Sequence, residues 1–242
     1  MDPARIQRNL SQRLSALTFG PPVAQVYNPL VYAKRSAELY LKRYLKPGAE
    51  ALWLGMNPGP WGMAQTGVPF GEVGMARDWL GLEAPVDKPE HEHPKRPIQG
   101  YDCPRSEVSG RRLWGWARDR FETPERFFDR FFVWNYCPLV FMEEGGKNRT
   151  PDKLAAEERE ALFAECDRAL QQLVDVVQPR CILGVGRFAQ DRAARALAGY
   201  GLPVHTILHP SPASPIANRG WAAQAEKQLT ALGIELPGVS SK

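Results

Sequence analysis

A chain of 242 residues, 43% of them hydrophobic, is long enough for one full-sized core, and its net charge of +4 makes it mildly basic. No apolar run is long enough to cross a bilayer, and residues 1–30 lack the charged-then-apolar layout of a secretory signal. Cys103, Cys137, Cys166 and Cys181 form no CxxC pair, which argues against an iron–sulfur or zinc centre and for a reduced, intracellular protein. The basic excess suits a polyanionic partner. Lys95, Arg96, Arg105, Arg111, Arg112, Arg118 and Arg120 crowd one segment, where a solvated face is the plainer alternative.

In chain order, residues 1–18 place Ile6, Leu10, Leu14 and Leu17 at helical spacing, the pattern of an amphipathic helix. Asn28-Pro29 opens a helix running through Tyr44, and Pro47-Gly48 stops it. Ala51 to Met56 is a short apolar run bounded by breakers, as in a buried parallel strand. A rigid Gly/Pro loop follows, and Glu72 to Leu80 begins a helix ended by Gly81. Leu82 to Ser109 is a long polar excursion rich in proline. His91 and His93 within it match no metal-ligand set and read as solvated. Gly110 to Phe121 is a helix with Ser109 as its N-cap, and Thr123-Pro124-Glu125 opens a shorter one. Phe131 to Asn135 is a second buried strand, and Glu143 to Asp152 a flexible loop. Leu154 to Val177 is a long amphipathic helix. Arg180 to Val185 and Val204 to Leu208 are the third and fourth strands, separated by a helix over Phe188 to Leu197. Ala217 to Leu232 is the last helix, with a loose tail to Lys242. Uniformly apolar strands alternating with helices specify an α/β fold with a mostly parallel sheet covered on both faces. One domain over 1–242, with its core at about 28–232, accounts for the chain.

Parallel strands bring their carboxyl ends to one rim, where α/β folds bind ligands. That rim carries Asn57, Pro58 and Gly59 after the first strand, Asn135 and Tyr136 after the second, and His209, Pro210 and Ser211 after the fourth. Paired carboxylates, a nucleophile elbow and a Schiff-base lysine are missing from it, as are GxGxxG and Walker A spacings. An asparagine amide offers one acceptor and two donors, which suits the carbonyl and adjacent N–H of a pyrimidine edge. An aromatic face such as Phe70 stacks a flipped ring. A histidine such as His209 can donate to an oxygen that becomes negative as a bond breaks. Asn57 cannot deprotonate water at neutral pH, but it can position one, which suffices when a glycosidic bond breaks first to an oxocarbenium-like sugar. Singly, these residues have plainer readings: a turn for Asn57, core filling for Phe70. His205 reads as structural, and Trp114, Trp116 and Trp134 as core. The combination is what points to an N-glycoside.

GMNPGPWGMAQTGVPFGEVGM (Gly55 to Met75) and HPSPASPIANRGW (His209 to Trp221) closely resemble the two signature motifs of the single-strand-selective monofunctional uracil-DNA glycosylases, within the uracil-DNA glycosylase superfamily. CPRSEVSGRRLWGW (Cys103 to Trp116) and VWNYCPL (Val133 to Leu139) resemble family blocks too, so the likeness covers most of residues 28–230. The resemblance implies a three-layer αβα sandwich around a four-stranded parallel sheet. It also implies removal of uracil and oxidised uracils, such as 5-hydroxymethyluracil, from DNA without cofactor or metal. Carried over by position, it implies that Asn57 positions water, His209 stabilises the departing base at O2, Asn135 reads the uracil edge and Phe70 stacks on it. Met56, Gly59 and Met63 fall in the pocket wall. The segment Pro210 to Arg219, with Ser211, Pro212, Ala213, Ser214, Asn218 and Arg219, corresponds to the loop that wedges into the duplex. Ser109, Arg111 and Arg112 are further expected DNA contacts, and Trp61 stands where the family pattern has Phe. The expected partner is DNA, single- or double-stranded, met by a monomer with no membrane attachment. A broader deaminated-base glycosylase acting on xanthine or hypoxanthine, a non-catalytic binder of damaged DNA and a nucleoside hydrolase are the competing readings.

Overall fold

The computed structural model of the protein describes residues 2–238, so the end of the expected tail to Lys242 lies outside the described residues. Helix α1 (Pro3–Ser15) is started by Asp2, whose carboxylate accepts the Ala4 N–H, and it buries Ile6, Leu10 and Leu14. Strand β1 (Val23–Tyr27) leads into α2 (Pro29–Tyr32) and α3 (Lys34–Tyr44). The single helix expected from Asn28 to Tyr44 is therefore broken, at Ala33 (φ −107°, ψ 25°). The break lets α4 (Met63–Thr66), which follows β2 (Ala51–Gly55), close onto it. The Tyr32 hydroxyl donates to the Ala64 carbonyl at 2.6 Å, and a Cβ on Gly67 would lie 2.7 Å from the Ala33 carbonyl oxygen.

The helix expected from Glu72 is a π-helical turn (Met75–Trp79), and the long excursion contains a 3-10 turn (Gly100–Asp102). Then come α5 (Val108–Phe121), α6 (Pro124–Phe128), β3 (Phe131–Asn135), β4 (Val140–Glu143) and β5 (Asn148–Arg149). The chain finishes with α7 (Ala156–Val177), β6 (Cys181–Val185), α8 (Arg187–Ala196), β7 (Val204–Ile207), α9 (Pro215–Asn218) and α10 (Trp221–Ala231). The expected last helix is interrupted at Gly220, whose φ of +133° suits glycine.

The main sheet has the order β3-β2-β6-β7 with every neighbour parallel, and Gly55 of β2 stands beside Asn135 of β3. Successive side chains on a strand point to opposite faces. Trp53 stacks on Trp116 of α5, with ring centroids 5.4 Å apart, so α5 covers one face. Its neighbour Leu54 pairs with Gly184, where a Cβ would lie 2.7 Å from Gln190 Cα, so α8 covers the other. This is a three-layer αβα arrangement in which burial on both faces makes the central strands β2 and β6 apolar throughout, whereas the edge strand β7, expected to be apolar too, is half-buried and carries His205 and Thr206.

A second sheet, β1-β4-β5, is antiparallel and was not expected. It replaces the flexible loop over Glu143 to Asp152 with a hairpin, closed by the Lys147 carbonyl accepting the Glu143 N–H at 2.9 Å. His93 is not solvated either: it is 5% exposed. Its backbone N–H donates to the Tyr27 hydroxyl, and its Nε2 lies 3.1 Å and 3.2 Å from the Glu144 and Glu143 carbonyls. The polar excursion is thereby pinned to the small sheet, while His91 stays exposed. Ser109 is not the N-cap of α5, because the helix starts one residue before it and Glu107 takes the cap position. The four cysteines are free, and no His/Cys/Asp/Glu cluster among the described residues is placed to hold a metal.

Candidate active site

At the end of β2 the pairing with β3 runs on past the strands. The Tyr136 N–H donates to the Gly55 carbonyl and the Cys137 N–H to the Met56 carbonyl, each at 2.9 Å. Asn135, beside Gly55, and Asn57, two residues past Gly55, are thus both delivered to the carboxyl rim. Gly55 has no alternative there: a Cβ would collide with Asn135 Oδ1 and lie 2.6 Å from Phe70 Cε2.

Phe70 adopts a positive φ of 52°, uncommon for a bulky residue and stable only when its surroundings enforce it. Thr66 does so from one side, its hydroxyl donating to the Gly71 carbonyl at 2.9 Å. From the other side Trp114 Nε1 donates to the Pro69 carbonyl at 3.2 Å. Gly110 of α5 sits so close that a Cβ would overlap the Phe70 carbonyl. The ring of Phe70 is then presented to the rim, 6.2 Å from that of His209.

The three polar side chains are each left with a free function. Asn135 is 4% exposed and among the described residues its amide donates only to Met63 Sδ, at 3.2 Å, a weak acceptor that leaves the amide open to a stronger one. The Asn57 amide N–H groups face the Leu139 and Pro58 carbonyls at 3.3 Å and 3.4 Å, which leaves Oδ1 as an acceptor for water. At His209 the Ser211 N–H donates to Nδ1 at 3.1 Å. The ring proton therefore sits on Nε2, and burial pushes the imidazole pKa down to about 4, so His209 is a neutral donor at neutral pH.

A cavity of about 650 Å³ joins these groups. Of the residues expected at the site, Met56, Asn57, Gly59, Met63, Phe70, Ser109, Asn135, His209 and Ser211 to Ser214 line it. Arg111 does not: it lines a separate groove of about 720 Å³ beside α5. Arg112 turns out to be a brace. Its guanidinium donates to the Pro210 and Ser211 carbonyls at 3.0 Å and 3.3 Å and to Asn218 Oδ1 at 2.9 Å. Asn218 in turn donates to the Pro212 carbonyl at 2.8 Å, so it too is occupied in holding the loop. Arg219 is exposed outside the cavity.

Sequence reasoning missed several residues here. Ile216, 47% exposed on the braced loop, is the apolar side chain placed to project from it. Glu107 lines the cavity although no carboxylate stood at a strand end; the SEVSG stretch carried it, but only the docking of α5 reveals where it points. Its carboxyl packs on Gly59 and Gly62, where a Cβ at Gly62 would overlap Oε2. Oε2 is enclosed without a partner. Burial, and secondarily the charge of Glu72, pushes its pKa up to about 7. Asn148, whose amide donates to the Pro58 carbonyl at 3.2 Å, and Thr150 complete the wall from the small sheet.

The family model of the uracil DNA glycosylase superfamily matches residues 42–230. The chain is 51% identical over 227 residues to the single-strand selective monofunctional uracil DNA glycosylase of Mus musculus, covering 93% of this chain and 81% of that protein. Against the protein of the same name from Bos taurus the identity is 50% over 234 residues, covering 96% and 86%. A crystal structure of Pedobacter heparinus SMUG2 aligns with a TM-score of 0.67 at 17% identity, over 94% of this chain and 97% of that one, a likeness of fold.

Proposed function

Because the chain belongs to the uracil DNA glycosylase superfamily, we propose that it is a monofunctional DNA glycosylase that excises uracil in base excision repair. The base, flipped from the strand, stacks on Phe70 and presents its N3–H and O4 to the Asn135 amide. As the C1′–N1 bond breaks, its electron pair leaves with the base and negative charge gathers on O2. The neutral Nε2–H of His209 donates to that oxygen: the Ser211 N–H fixes the single proton on Nε2, and burial keeps the ring from gaining a second near neutral pH. Water held by Asn57 Oδ1 adds to C1′ of the oxocarbenium-like sugar, and its proton passes to the departing uracil anion. Among the described residues no lysine lines the cavity, which supports release of the abasic product rather than a Schiff-base adduct.

The observation that carries this reading is the convergence of His209, Asn57, Asn135 and Phe70 on one cavity. Affinity for DNA comes mainly from phosphate contacts and falls steeply with salt. The braced loop, with Ile216 at its exposed edge, serves as the apolar wedge that fills the space of the flipped base. The substrate range extends to uracils with a polar 5-substituent such as hydroxymethyl, in single- and double-stranded DNA.

The test is a panel of oligonucleotides carrying uracil, 5-hydroxymethyluracil, xanthine, hypoxanthine or thymine, incubated with the protein in chelator and then treated with alkali. Strand scission at uracil and hydroxymethyluracil, with no adduct on borohydride treatment, is expected. Intact uracil strands would overturn the proposal.

A further inference from the structure

The cavity and the braced loop leave a second stretch of the rim, where Pro60 and Glu107 line the wall. Trp61 directly follows Pro60, and Arg105 stands two residues before Glu107. Both side chains therefore start within about 8 Å of the wall along the chain. The Trp61 ring packs against the buried cluster of Val73, Ala76, Tyr101 and Cys103. Over it lie two guanidiniums, that of Arg105 4.5 Å from the ring centroid and that of Arg96 5.2 Å away.

Two cations over one ring are each attracted to the π face but repel each other, a repulsion that an anion between them would relieve. Among the described residues neither arginine forms an ion pair with one. Arg96 gives one N–H to the Lys95 carbonyl at 2.9 Å, while its Nε is enclosed with no partner. Arg105 is exposed, with no hydrogen bond from its guanidinium among the described residues, and Lys95 beside Arg96 is exposed as well. The hairpin turn backs the group: a Cβ on Gly146 would lie 3.2 Å from Lys95 Cβ and 3.6 Å from Arg96 Cζ. An aromatic platform thus holds two planar donors in place with their charge uncompensated, which is the chemistry that takes a phosphodiester.

We propose that Trp61, Arg96 and Arg105 form a clamp for backbone phosphates of the DNA strand where it leaves the cavity along the Pro60–Glu107 rim. The position of the strand rests on the glycosylase reading above; the anion chemistry of the clamp does not. Arg111 and Arg112, the arginines that sequence reasoning favoured for this task, both line the separate groove, and Arg112 is engaged with the loop as well.

The experiment pairs two measurements on the full chain. Binding of a labelled single-stranded oligonucleotide without uracil is followed across a salt series, and excision from a uracil oligonucleotide is followed at saturating protein. For the Arg96→Gln/Arg105→Gln double variant the slope of log affinity against log salt should become shallower by about 1.4, two contacts at about 0.7 each. Excision at saturation should stay within about twofold of the parent, as expected for contacts that position the backbone and leave the base alone. Trp61→Leu, which removes the platform, should weaken binding in the same sense. An unchanged salt slope in the double variant, with excision normal, would overturn the clamp. A loss of excision in step with a loss of thermal stability would also overturn it, by making the cluster a structural stack. If the parent excises nothing yet the double variant still loses salt dependence, the glycosylase reading fails and the clamp stands.

Discussion

Lowering the pH through the ordinary range of histidine is the sharpest perturbation of the leaving-group chemistry. A solvated imidazole gains its proton near 6.5, whereas burial holds His209 neutral down to about 4. That difference corresponds to about 3 kcal/mol in favour of the neutral ring. Single-turnover excision of uracil should therefore show no histidine step near pH 6.5 and should lose its neutral donor only as the pH approaches 4. Glu107 shares the cavity and titrates near 7, so the series is run on Glu107→Gln as well. The histidine limb is read from that variant. The stability counterpart has a definite sign. Between pH 6.5 and 4 the unfolded imidazole binds a proton that the folded one refuses, so the protein loses up to about 3 kcal/mol of stability across that window. Nuclear magnetic resonance of the His209 ring gives the titration directly. A midpoint near 6.5, or a rate that climbs as imidazolium accumulates in Glu107→Gln, would refute the neutral-donor mechanism.

Glu107 runs the other way: its folded carboxyl keeps a proton up to about pH 7 that the unfolded one releases near 4.5. Stability conferred by it is complete at low pH and lost as pH rises through that window, so Glu107→Gln should stabilise by up to about 3 kcal/mol at pH 8 and hardly at pH 4 in denaturant titrations. Gly55→Ala drives a methyl group into Asn135 and Phe70; uracil excision should fall by about a hundredfold or more, and a parent-like rate would show that the floor of the cavity is elsewhere. Arg112→Ala releases the Pro210 and Ser211 carbonyls and Asn218. Since a misplacement of about 1 Å can cost about a hundredfold, the saturated excision rate should drop while the salt slope of binding is unchanged. A changed slope with an unchanged rate would return Arg112 to the phosphate contacts.

The four main strands were legible to within about two residues, because β2, β3 and β6 are short, almost wholly apolar runs cut off by breakers, while the half-buried edge strand β7 was marked by its β-branched residues around His205. Once those ends were placed, Asn57, Asn135 and His209 followed, since the rim of a parallel sheet is where such residues meet. The small sheet was not legible: β5 is two residues long, and in β1 only Val23 and Tyr27, at its two ends, are buried, so the strand shows no period-two alternation. His93 and Glu107 were misjudged or missed for a shared reason. Each polar side chain is buried by segments distant in sequence, the hairpin for His93 and the Gly59–Gly62 turn for Glu107. Arg112 illustrates a further limit: a guanidinium suits a carbonyl cage as well as a phosphate, and charge alone does not distinguish them.

In the proposed mechanism Asn57 and His209 cooperate in breaking and hydrolysing the bond between uracil and deoxyribose. Single-turnover excision from a single-stranded uracil oligonucleotide, compared among the parent, Asn57→Ala and His209→Ala, tests it most directly. The parent should convert the strand fully to abasic product, and each variant should be slower by about a hundredfold to a thousandfold while still binding the oligonucleotide. A parent that leaves uracil in place, or a variant that removes it at the parent's rate, would contradict the account.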